Sequence, residues 1–155
     1  MTSPVSSETQ SLSQLYETDY LRWLDAMAAR LREGAYDALD REHLIEELEA
    51  IGRNEKRAAA SNLQVLLLHL LKWQYQPQRR TASWSNTIDT HREQLADALE
   101  ESPSLRNVLA QQLKREYGRA RRKATRETGL PEIALPQQCP YDLASVLDFD
   151  WWPED

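Results

Sequence analysis

An all-α fold is predicted from three observations. The composition has four Gly and seven Pro in 155 residues, with Leu, Ala, Glu and Arg plentiful and Val, Ile and Thr sparse, which suits helices and not a sheet. A helical pattern runs unbroken from Asp40 to about Gln76, and a second apolar stripe from Trp84 to Leu99 keeps alternating spacings of four and three. Together these predict a bundle of four main helices with a long second helix, closed by a Pro-rich C-terminal segment with one short helix. A chain of this length suits one domain, expected over residues 12–155, while residues 1–11 are Ser/Thr-rich, without periodic apolar positions, and read as a disordered tail.

The first helix is expected from about Thr18 to Glu33, burying Leu21, Leu24, Ala28 and Leu31 and ending at Gly34. Asp40 is a good N-cap for the second, which stops at Pro77 and would be on the order of 54 Å long at 1.5 Å per residue. Gly52 is the expected place for a bend. Its second half, Leu63 to Leu71, is apolar almost all round and so should be contacted on several sides. The third helix should start near Thr81 or Ser83 and bury Trp84, Ile88, His91, Leu95 and Leu99. Ser102-Pro103 should open the fourth, which carries Leu105, Leu109, Leu113, Tyr117, Ala120 and Ala124 and ends at Gly129-Leu130-Pro131. After it only about Asp142 to Leu147 reads as helix. Trp151 and Trp152 are expected to dock on the core as a lid, since an exposed Trp pair invites aggregation. The expected core includes Leu24, Leu48, Ile51, Leu66, Leu70, Trp73, Trp84, Ile88, Leu95 and Leu109.

Three sets of residues could carry chemistry. On the second helix Leu48, Glu55, Asn62 and His69 recur at seven-residue intervals, nearly two turns apart, and His91 lies on the facing helix. Two neutral imidazoles with a carboxylate can hold a divalent metal ion and activate its water. Glu55, however, is about 21 Å from His69 along the helix, and Asp89 points away from His91. No Glu-x-x-His, His-Glu-x-x-His or Cys-x-x-Cys pattern is present. A hydrogen-bonded structural role for His69 and His91 is therefore preferred to a metal, and no cofactor is required.

The turn Gln76 to Ser83 delivers Arg79, Arg80, Thr81 and Ser83 to a helix N-terminus, a combination that suits an anion. An exposed, capped turn is the simpler reading. Charge is also segregated: seven acids lie between Asp37 and Glu55, and seven cations between Lys114 and Arg126. The two clusters could pair with each other. The cations around Arg119, Arg121 and Arg122 could instead track phosphates, but they run round the helix and no aromatic side chains interleave for base stacking. A solvated helix with some interhelical salt bridges is therefore preferred, and phosphate or nucleic-acid binding through Arg79, Arg80 and this helix is the lesser alternative.

The single Cys139 allows no intrachain disulfide and has no basic neighbour to activate it. The start lacks a signal-peptide pattern and no run reaches the roughly 18 apolar residues of a membrane span, so a cytoplasmic protein without membrane association is expected. Glycine-rich phosphate loops and Gly-x-Ser-x-Gly elbows are lacking too. The preferred function is binding without catalysis, most simply of a protein partner. The oligomeric state is not legible.

The stretches LYETDYLRWL, LDREHLIEELEAIGRNEKR, LLLHLLKWQYQPQRRTASW, ESPSLR, ETGLP and CPYDLASVLD resemble a bacterial family, well represented in cyanobacteria, known as domain-of-unknown-function family twenty-nine. The resemblance spans about Leu15 to Glu154. It implies an all-helical bundle and brings no activity or site residue with it.

Overall fold

The computed structural model describes residues 11–155, so the expected tail up to residue 10 lies outside the described residues. All regular structure among them is helical: α1 Leu12–Thr18, α2 Tyr20–Arg32, α3 Arg41–Tyr75, α4 Ala82–Glu101, α5 Leu105–Thr128 and α6 Leu143–Leu147, with three short 3-10 turns. The four expected main helices are α2 to α5. The chain divides into two compact units, Met1–Arg53 and Asn54–Asp155. α3 runs through the boundary as one helix, uninterrupted at Gly52.

In the first unit the N-terminal helix of the sequence reading becomes two. Ser11 caps α1 through a capping box with Gln14. Asp19 then leaves the helical region (φ −151°, ψ 87°), and its carboxylate accepts the backbone N–H of Arg22 to begin α2. A short acidic side chain that can bond the backbone locally favours such a break over continuation. α2 closes at Gly34, whose φ of 73° is the left-handed conformation that glycine adopts without strain.

The α2 face that is buried carries Trp23 and Met27. Residues Leu24, Leu48 and Ile51, expected in the core, are exposed at 37%, 62% and 58%, as are Leu21 and Leu31. The periodicity of these residues is real, but the inner faces of α2 and of the start of α3 are already filled by Trp23, Tyr16, His43 and Glu47, and no described residue of this unit covers the other side. The lower part of the polar ladder is displaced with them: every residue from Ile51 to Ala58, Glu55 included, is exposed.

The second unit is organised around the later half of α3. Leu63, Leu66, Leu67, Leu70 and Leu71 are fully buried, as expected of a helix apolar almost all round, and Ile88 and Leu95 of α4 with Leu109, Tyr117 and Ala120 of α5 complete the core. Trp73 and Trp84 are half-buried. Thr81 caps α4 by accepting the N–H of Trp84. α5 starts two residues beyond the proline expected to open it, since Ser102 and Pro103 instead supply carbonyls to the N–H groups of Leu105 and Arg106. Gly129, with φ of 72°, ends it.

The C-terminal segment docks on this core as the sequence suggests. Leu135, Tyr141 and Val146 are buried. The Trp152 ring lies 4.7 Å from that of Trp73, and Trp151 meets Tyr141 edge to face at 5.5 Å. Its principal anchor is unforeseen: Arg92 of α4, wholly buried, donates from Nε to the carbonyl of Val146 (2.9 Å) and from Nη2 to that of Trp151 (2.8 Å). Arg121 makes a second clasp from α5, donating to the carbonyls of Glu132 and Leu135.

Candidate functional site

The second unit carries a cleft of about 410 Å³ lined by Lys56, Arg57, Ala60, Ser61 and Gln64 of α3 and by Gln112, Arg115, Glu116 and Arg119 of α5. Its cationic wall follows from helix geometry. Arg115, Arg119, Arg122 and Arg126 are spaced four, three and four apart, so they share one face of α5 and extend over roughly 16 Å. Beyond the cleft the surface continues as a groove among Gln64, Arg119, Arg122, Lys123 and Arg126 with no acid in its lining. Four of the seven cations thus share a stripe, with Lys123 beside it, while Lys114 and Arg121 lie on the other side of the helix, Lys114 near Gln137 to Cys139 and Arg121 holding the C-terminal segment.

A buried carboxylate organises the floor. Glu116, 1% exposed, accepts from Arg115 Nε and from Arg119 Nη1, both at 3.2 Å, and from the Gln64 amide at 3.3 Å. Lys123 donates to the Gln64 carbonyl oxygen at 3.1 Å, and Arg115 also reaches Gln112 at 3.0 Å. Glu116 thereby holds two guanidinium groups by one edge, while about half of each arginine side chain faces solvent. The rest of the cleft's charge is positive, and its polar neutral groups are Ser61, Gln64 and Gln112. Such a surface can bind an extended anion. Its one carboxylate is occupied by three donors, so it offers no general base.

The charge distribution along the chain sharpens this point. Residues 1–53 contain eleven acids and five basic residues, whereas residues 54–155 contain fourteen of each, so the net charge of −6 belongs to the first unit. The partners seen for the α5 cations (Glu116, Gln64, Gln112 and the carbonyls of Glu132 and Leu135) all lie within their own unit.

The other expected sites fare differently. His69 and His91 each bond through Nδ1 to the carbonyl four residues back, Val65 at 2.9 Å and Thr87 at 2.8 Å. A carbonyl only accepts, so in each bond the ring Nδ1–H is the donor. Burial pushes the pKa of His69 down, Lys72 and the nearby His91 adding to the effect despite the Val65 bond. Among the described residues no group of three or more His, Cys, Asp or Glu is placed to hold a metal ion. A metal on this pair would take its remaining ligands from water.

In the expected anion turn, Arg80 donates from Nε to the Trp73 carbonyl at 2.9 Å, lies over the Trp73 ring and pairs with the Asp155 carboxylate. Thr81 is occupied as the cap of α4. The carbonyl of Ser83 accepts from Thr87, and Ser83 is exposed. Arg79 ends a 3-10 turn and is exposed. The turn is therefore built into the docking of the C-terminal segment. Cys139 is half-buried, and burial raises its thiol pKa, which disfavours the thiolate.

One cluster escaped the sequence reading altogether. In the first unit His43 Nδ1 bonds the Asp40 carboxylate at 2.8 Å, and Trp23 donates to the same oxygen at 3.1 Å. The Tyr16 ring stacks on His43 at 4.0 Å, and Tyr16 and Tyr20 both donate to Glu47, at 2.6 and 2.5 Å. The hydrogen bond to Glu47 pushes the Tyr16 pKa up to about 12. The signal was available: Asp-x-x-His across a helix start places an imidazole beside its own N-cap.

The Asp40 bond raises the His43 pKa against the opposing effect of desolvation, with Glu46 and Glu17 assisting. A group protonated more readily when folded stabilises fully below its unfolded pKa of about 6.5 and ceases to do so as pH rises through the folded value. The first unit is therefore expected to lose stability as pH rises above about 6.5. In His43→Gln that slope should vanish; thermal melts across this range read by the near-ultraviolet signal of Trp23, with an unchanged slope in the variant, would remove the dyad from consideration.

The described helices include none long and apolar enough to cross a membrane. No curated protein and no solved structure matches the chain. A family model, domain of unknown function DUF29, matches residues 15–152, which takes in every helix from α2 to α6, and the chain belongs to that family.

Proposed function

We propose that this protein is a non-catalytic binding module for a phosphate-rich polyanion, and that a nucleic-acid backbone is the ligand class its basic cleft suits best. One observation carries the reading: the arginine stripe of α5, continued by Lys56 and Arg57 across a cleft whose floor carboxylate orients two of the guanidinium groups. Arginine presents a planar fork of donors that matches phosphate oxygens, and a fork already held by Glu116 loses less freedom on binding. A stripe of roughly 16 Å spans about five phosphates at 3.4 Å per strand step. The cleft lining contains no aromatic ring on which an unpaired base could stack, which favours contact to the backbone of a duplex.

The test is fluorescence anisotropy with a labelled 20-base-pair duplex over a salt series. Four to five phosphate contacts give a slope of log K against log salt of about −4. The double variant Arg119→Ala, Arg122→Ala should bind at least ~10-fold more weakly and reduce that slope by about 2. Arg121→Ala, outside the stripe, should leave affinity unchanged. Inorganic polyphosphate and a single strand of equal length separate phosphate from duplex recognition. Tighter binding of an acidic peptide than of any phosphate ligand, or duplex binding indifferent to the double variant, overturns the proposal.

A further inference from the structure

Gly118 lies in the interior of α5, where only proline is a poorer helix former than glycine. Packing does not call for it: beyond the helix's own backbone, a Cβ built there meets no atom closer than Arg122 Nη1 at 3.9 Å. On a helix surface the neighbours of a residue are those three and four positions away. For Gly118 these are Lys114, Arg115, Arg121 and Arg122, all four of them cations. Arg121 is turned to the C-terminal segment, and Arg115 is held by Glu116 and Gln112. Lys114 and Arg122 are exposed, and neither cationic head has a partner among the described residues. The missing side chain thus leaves a gap ringed by positive charge, and the Arg122 guanidinium is the nearest group to it.

Two hollows meet at this gap. One, of about 490 Å³, lies on the outer face of α5 among Gln111, Lys114, Arg115, Gly118 and Arg122. The other, of about 450 Å³, lies between α5 and the C-terminal segment, where Tyr117 and Cys139 face Gln137 and Gln138. Lys114 and Gly118 line both, so Gly118 is the saddle between them, and a larger side chain there would close it. The inner wall is fixed in place: Tyr117 donates to the Pro136 carbonyl at 2.5 Å, and the Cys139 thiol donates to the Tyr141 carbonyl at 3.3 Å. Gln137 and Gln138 are exposed, with carboxamides that have no partner among the described residues. Neither lining contains an acid among the described residues.

We propose that this saddle binds a free nucleotide, its phosphates over Gly118 between Lys114, Arg115 and Arg122, and its base in the hollow beside Gln137 and Gln138. Each part of the ligand has a matching part of the site. Phosphate oxygens accept from ammonium and guanidinium groups, and they can approach a backbone closely where no side chain stands. The edge of a base presents donors and acceptors side by side, as a carboxamide does. Hollows of this volume are the size that small ligands occupy. Lys114, Gly118, Gln137 and Gln138 all lie outside the arginine stripe, so the site goes beyond the duplex reading and stands without it, although Arg115 and Arg122 serve both.

The experiment is isothermal titration calorimetry on the full chain with ADP, pyrophosphate and adenosine, in buffer free of divalent metal. ADP should bind at least ~10-fold more tightly than pyrophosphate, which lacks the base, or adenosine, which lacks the phosphates. Lys114→Ala should weaken ADP and pyrophosphate alike by about 10-fold. The double variant Gln137→Ala, Gln138→Ala should weaken ADP by a similar factor and leave pyrophosphate unchanged. Gly118→Leu should abolish binding of both, and Gly118→Ala should melt at a higher temperature than the native chain, since alanine is the better helix former and meets open space. Equal affinity for ADP and pyrophosphate overturns the proposal, as does ADP binding that survives Gly118→Leu. A lower melting temperature for Gly118→Ala would assign the glycine to packing and overturn it too. Duplex binding without ADP binding removes the saddle alone, and ADP binding without duplex binding removes only the stripe.

Discussion

Arg92→Ala is expected to destabilise the protein by about 3–5 kcal/mol, which for a chain of this size lowers the melting midpoint by roughly 8–15 °C. Arg92 is fully buried, and no carboxylate is bonded to it. Two backbone carbonyls accept from it, and its guanidinium lies 5.3 Å from the centre of the Trp152 ring. Removing it strands the carbonyls of Val146 and Trp151 and leaves a cavity under the C-terminal segment. Arg92→Met separates the two costs, since it fills most of the volume and restores neither hydrogen bond. It should recover part of the loss and remain about 2 kcal/mol below the native protein. Arg92→Lys should not rescue, because an ammonium cannot span two carbonyls in a fixed fork. Denaturant unfolding followed by tryptophan fluorescence reads the result, and a loss under about 1 kcal/mol for Arg92→Ala would mean the segment is held by its apolar contacts alone.

Trp23→Ala is the second large effect, at about 3–5 kcal/mol, and it should be local. Trp23 is the largest wholly buried side chain of the first unit, with the Tyr16 ring edge-on at 5.0 Å and Tyr20 stacked at 6.0 Å. In a unit of so few residues one indole is a large share of the core. Hydrogen exchange should lose protection across residues 12–50 while Leu63 to Leu71 stay protected. Trp23→Phe keeps the ring and loses the bond to Asp40, so about 1 kcal/mol is expected. Equal loss of protection along the whole of α3 in the alanine variant would show that the long helix melts as one piece, contrary to the division at Arg53.

Much of the candidate site could have been read from the sequence. The spacing of Arg115, Arg119, Arg122 and Arg126 is a seven-residue repeat in plain view, hidden by the neighbouring Arg121 and Lys123, which make the segment look basic on all sides. Arg121 lies roughly 100–160° round the helix from each of the four, which the sequence also shows, and only its partners, the carbonyls of the C-terminal segment, needed the structure. Glu116 in the middle of a basic run looks like an incidental surface acid. Its burial beneath two arginines and Gln64 comes from the packing of α5 against α3, two stretches some fifty residues apart in sequence.

What the sequence determined by itself is the local structure and the central packing. Composition and periodicity specify helices, Thr81, Asp142, Gly34 and Gly129 mark their ends, and the run from Leu63 to Leu71, interrupted only by Gln64 and His69, must lie largely inside because most orientations expose apolar groups. Only the tertiary structure decided which single-sided stripes are covered. Ile88 and Leu48 occupy equally regular stripes, yet one is buried and the other exposed. Periodicity shows that side chains share a face, whereas burial depends on whether another helix is available to cover it. In the second unit α4, α5 and the C-terminal segment supply that layer, and in the first unit the inner face is filled by Trp23 and its aromatic neighbours while the outer one remains open.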